Sequence, residues 1–180
     1  MKAGMEYKIM VAASLLLLIM VFSVPVSETI SEAVSKGKIE AGLINAVIII
    51  AGASSVIGGW RYYEGFVFHR SILAIFGISL ALTSIFNQVP ANDPVQNNLH
   101  ADMWHSYFTA TASLSFIILT LSTAFISERK SERILAVATA FSVLVLSVVM
   151  YKPEATGGIV NRIILVIVYG WMLYTFRNRE

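Results

Sequence analysis

Apolar residues in this chain come in six long runs, at 9–26, 41–60, 71–88, 104–126, 134–151 and 159–176, and short polar stretches separate them. Wound as an α-helix, each run would be about 27–35 Å long, which matches a hydrocarbon core of about 30 Å. None alternates apolar and polar residues as a membrane β-strand does. The pattern therefore predicts an all-α polytopic membrane protein, a six-transmembrane-helix bundle forming one domain over 1–180. There is no low-complexity tract and no internal repeat. The first run follows Lys2 and Lys8, as in a secretory signal peptide. It is long enough to span, so it is expected to stay as the first helix.

The polar stretches are short. "SETISEAVSKGKIE" joins the first two runs, with Ile30, Ala33 and Val34 on one side if it is helical. It is either an amphipathic helix lying on the membrane surface or a solvated loop. "RYYEGFVFHR", "SERKSER" and "KPEATGG" join later runs. "NQVPANDPVQNNLHADMWHSYF", residues 87–108, is the wettest of all. It holds two of the three histidines between two of the most apolar runs.

Composition supports the membrane reading. The chain is 57% hydrophobic and 13% charged, against about 25% charged in an average soluble domain. A net charge of +2 without a basic, aromatic-interleaved stripe gives no reason to expect nucleic acid as a partner. The absence of cysteine excludes disulfides, iron–sulfur clusters, thiolate metal sites and cysteine nucleophiles.

Lysine and arginine set the expected orientation. With both termini cytoplasmic, the inner side holds Lys2, Lys8, Arg61, Arg70, Arg129, Lys130, Arg133, Arg177 and Arg179. The outer side holds Lys36, Lys38, Lys152 and Arg162, so the balance is nine against four. Residues 87–108 then face outward from a prokaryotic plasma membrane.

Candidate chemistry gathers there. Asp102 and His105 are three residues apart and share a helical face. A carboxylate beside an imidazole can hold its tautomer and raise its basicity. His100 lies about 140° round the helix from His105, so the two can share a ligand only if the chain before Asp102 leaves the helix. Below His105 runs a polar stripe of Thr109, Ser113, Thr120 and Thr123. Ser79, Thr83 and Asn87 in the third run, and Asn45, Gly52, Ser55 and Gly59 in the second, are expected to face it. These faces serve either close helix packing or a polar conduit.

In the sixth run, Asn161 and Arg162 sit just inside the apolar segment. Arg162 must reach headgroups or find a carboxylate, with Glu154, Asp93 and Asp102 as candidates. Asp93, in "PANDP", is equally a turn former. His69 is expected at the interface, and Trp60, Tyr62, Tyr63, Trp104, Tyr107, Tyr151 and Trp171 read as aromatic belt.

Three function classes remain. In one, Asp93, His100, Asp102, His105, Asn161 and Arg162 form an outward pocket that binds or handles a lipid or other amphiphile. In another, His100, Asp102 and His105 hold a divalent metal such as zinc, and a metal-bound water hydrolyses a membrane substrate, with His105 and Asp102 as the catalytic candidates. In the third, the chain is a non-catalytic subunit or assembly factor that docks a membrane-protein partner. Haem is disfavoured, since no two histidines fall at one depth on different helices. Proton-coupled transport lacks a carboxylate at mid-membrane.

Pro90, Asp93 and Pro94 end the third run, His100 and His105 open the fourth, and Asn161–Arg162 opens the sixth. On these residues the stretch 41–176 resembles the prokaryotic six-helix membrane family catalogued as domain of unknown function nine-nine-eight. It is more distantly similar to the Frag1/DRAM/Sfk1 group. The second resemblance implies lipid organisation or glycolipid-anchor handling. The first implies the fold but no reaction.

Overall fold

A computed structural model describes residues 5–23, 39–86, 99–150 and 157–177. Among these residues six helices follow one another: α1 (Met5–Ser23), α2 (Ile39–Tyr62), α3 (Val67–Ile85), α4 (Leu99–Ile126), α5 (Lys130–Met150) and α6 (Gly157–Arg177). Each is long and apolar enough to cross a membrane. Asp93, Glu154, Tyr151, the "PANDP" turn and the proposed surface helix after α1 lie outside the described residues.

The helices overrun the apolar runs at their polar ends. α4 starts at Leu99 rather than 104, and α5 at Lys130 rather than 134. In α5, Lys130, Glu132 and Arg133 are good helix formers, so the helix continues past the apolar run on residues that hydropathy does not count. α1 is described as far as Ser23, and residues 24–26 lie outside the described residues.

Successive helices pack as antiparallel neighbours, and α6 returns to α1, which closes a ring. Both ends of the closure are bonded. Tyr7, early in α1, donates to the Leu173 carbonyl late in α6 (3.2 Å). Arg162, early in α6, donates to the Val21 carbonyl late in α1 (3.1 Å). α6 also reaches across the ring. Ser55 of α2 lies 3.5 Å from the Tyr169 hydroxyl, and Trp171 meets Phe116 of α4 edge-on at 5.5 Å between centroids. Met10, Leu17, Leu73, Phe116, Leu119, Val143, Tyr169 and Met172 fill the middle and are essentially inaccessible.

Outward faces are Ile, Leu, Val and Phe, as lipid demands. α5 is the least enclosed of the helices, with 22% of its apolar stretch buried, against 44% for α2. α2 is tightest because it passes closest to a neighbour. A Cβ placed on Gly52 would come 2.6 Å from the Gly77 carbonyl oxygen of α3, and one on Gly77 would run into Val56. Residues 63–66 turn the chain from α2 into α3, with Gly65 at φ 84°. Phe66 N–H to the Tyr63 carbonyl closes the turn (3.0 Å).

Candidate functional site

The sequence candidates lie at the end of the bundle away from the chain termini, where α3 stops and α4 and α6 start. His105 is 8% exposed. Its Nδ1 lies 3.0 Å from the Thr83 carbonyl and 2.7 Å from the Phe86 carbonyl. Both partners can only accept, so Nδ1 carries the proton and donates. Thr83 and Phe86 sit in and just past the last turn of α3, where helical carbonyls run out of N–H partners. His105 therefore holds the C-terminus of α3 from the neighbouring helix.

His100, one turn and a little more before it, is exposed. Its Nδ1 accepts from the Trp104 indole N–H at 2.9 Å, and the two rings stack at 6.3 Å. The imidazole's Nδ1 is thus unprotonated in this arrangement. Asp102 is half-buried. Among the described residues it makes no hydrogen bond or ion pair to His105 or Arg162.

Arg162 is 4% exposed. Its guanidinium donates to Val21 O through Nε and to Gly158 O through an Nη at 2.7 Å. It caps α1 from across the ring closure, much as His105 caps α3. Neighbouring Asn161 is half-buried, and its Oδ1 has no hydrogen-bond partner among the described residues. Ser147 Oγ, on α5 near the same end, is unpartnered too.

The candidates thus divide. His105 bonds to α3 and Arg162 to α1, on separate sides of the ring. His100 and His105 are engaged in different contacts. Among the described residues, no three of His, Asp and Glu come together as a metal-holding group. Two residues of the stripe below His105 are satisfied within their own helix. Thr120 donates to Phe116 and Ile117 carbonyls and Thr123 to Leu119. Both side chains are enclosed, as close helix packing requires.

One open crevice of about 410 Å³ does lie here, lined by Ile85, Phe86, His100, Ala101 and Trp104. Behind it Phe86, Trp104 and Phe108 stack, with centroids 5.6 Å apart for Phe86–Phe108 and 5.7 Å for Trp104–Phe108. Trp104 and Tyr107 remain exposed, as an interfacial belt requires.

At the opposite end, several sequence expectations change. His69 is buried, not interfacial, at 6% exposed. Its ring stacks on Tyr63 at 5.0 Å and meets Phe66 and Phe68 edge-on. Neither ring nitrogen has a partner in hydrogen-bond geometry, though the Ser122 main chain comes close. Tyr63 and Trp171 are core rather than belt, at 0% and 4%. The α2–α3 turn folds Tyr63 inward, where its hydroxyl bonds Thr123 at 2.6 Å. Trp171 lies on the inner face of α6. An aromatic near the end of an apolar run reads as belt until the helix's rotation is known.

Compared with protein-family models, curated proteins and solved structures, the chain matches none.

Proposed function

We propose that this protein is an integral membrane protein of a prokaryotic plasma membrane, with both termini cytoplasmic, and that its crevice between α3 and α4 holds a lipid or similar amphiphile at the outer leaflet. One observation carries the reading: the mixed lining of that crevice. Ile85, Phe86 and Ala101 offer apolar walls, while the His100–Trp104 pair supplies a polar rim. An apolar slot with a few placed polar groups suits a molecule with a tail and a head. His105 acts here as a positioning residue. By holding the end of α3 against α4 it keeps the two walls at a set distance.

The test is lipid carried through purification. Wild-type protein and Ala101→Trp, which fills the crevice, would be extracted in mild detergent and their bound lipids compared by mass spectrometry. The reading expects a particular amphiphile enriched on wild type and lost from the variant, with unfolding temperature unchanged. The same lipids in the same amounts on both would sink it.

A further inference from the structure

The α2–α3 corner, at the end of the bundle that carries the chain termini, has the makings of a second and separate site. Arg70, in the first turn of α3, donates Nε to the Trp60 carbonyl at 2.9 Å. Its guanidinium also lies over the Trp60 ring, 5.1 Å from the centroid. The two contacts fix the plane of the guanidinium. They use its Nε and one face, and its terminal Nη groups make no hydrogen bond or ion pair among the described residues. A held guanidinium with two donors to spare suits the oxygens of a phosphate.

The surroundings match a lipid phosphate. Arg61, the next residue after Trp60, has a 74% exposed side chain and touches Glu6 at only 3.8 Å. Such an exposed pair is weak and readily exchanged. Val67 and Phe68 are 75% and 56% exposed beside Arg70 in the same turn, and Trp60 is 46% exposed. Apolar side chains and a fixed cation therefore meet at one level, as they do at an acyl–headgroup boundary. α3 also begins, after Phe66, without a side-chain cap, so its first N–H groups add to the positive potential. Glu6 and Glu64 offset part of the charge, which favours a singly charged phosphodiester over a phosphomonoester dianion.

We infer that this corner binds the phosphodiester of an anionic phospholipid, with Arg70 and Arg61 on the phosphate oxygens and Val67 and Phe68 against the acyl chains. It does not depend on the crevice at the other end. The full chain in neutral detergent would be titrated with phosphatidylglycerol or phosphatidylcholine of identical acyl chains and read by native mass spectrometry. Phosphatidylglycerol is expected to be retained over phosphatidylcholine. Arg70→Gln should lower that retention about tenfold, the scale of one lost charge-assisted hydrogen bond. Arg70→Lys should lower it as well, because the planar fork is gone, while Arg177→Gln should leave it unchanged. If Arg70→Gln does not fold, exposed Arg61→Gln decides by the same readout. Equal retention of the two lipids, or full retention by Arg70→Gln or, where that variant fails, by Arg61→Gln, overturns the proposal. Displacement by millimolar glycerol phosphate also overturns it and makes the site one for a free phosphate ester.

Discussion

His105 shows what a single residue does here. Its proton is committed to two carbonyls at the end of α3, so its first role is to satisfy backbone. Losing it would take the donor from two part-buried acceptors, which costs about 1–3 kcal/mol. His105→Ala should lower thermal stability in detergent by that amount, and His105→Asn, which keeps a donor, should recover part of it. An unchanged melting temperature in the alanine variant would mean that water replaces the imidazole. The sequence already placed His105 inside the bundle, through the polar stripe below it. Its partner was not legible, because a backbone carbonyl carries no residue type to look for. The same blindness applies to the Val21 and Gly158 carbonyls that accept from Arg162, while its candidate carboxylates Asp93 and Glu154 lie outside the described residues.

Among elements, those two residues belong to a wider arrangement. Arg70 of α3 donates to Trp60 O near the end of α2. Arg133 of α5 donates to Ser127 O just past α4 (2.7 Å), and Tyr7 of α1 to Leu173 O near the end of α6. Helix after helix has a late carbonyl covered by a neighbour's side chain. In a low-dielectric surround an open carbonyl is costly, and a cation there also complements the negative end of the helix dipole. These bonds lock helix pairs at their ends, while small residues set the spacing between. Gly77→Ala and Gly52→Ala should therefore each destabilise, by about 1–3 kcal/mol, since backbone or Val56 must move. Gly42→Ala and Gly170→Ala meet nothing within 4 Å and should not. Gly65→Ala should cost about 1–2 kcal/mol for its positive φ alone. Denaturation of the five variants side by side checks the pattern, and a uniform effect would refute it.

For the whole molecule, orientation would decide which leaflet the proposed lipid crevice faces. The chain has no cysteine, so single cysteines can be placed on a silent background. Ser131→Cys, at the start of α5, should react with an impermeant maleimide only from the cytoplasmic side, and His100→Cys only from outside. The reverse labelling would move the crevice to the inner leaflet. The sequence by itself determined the all-α class, the number of helices long and apolar enough to span a membrane and their approximate limits. Those follow from the length and hydropathy of contiguous runs, which are local properties. It also marked Ser55, Gly52, Thr120 and Thr123 as inward-facing, because helical spacing puts them on single faces. Only the tertiary structure decided how each helix is rotated and which neighbour it meets. That is why His69, Tyr63 and Trp171 turned out to be core, why His105 and Arg162 part toward different helices, and why His100, Asp102 and His105 do not converge. Contacts between helices depend on close approach at a few small residues and on backbone acceptors, and neither is written in the order of side chains along one run.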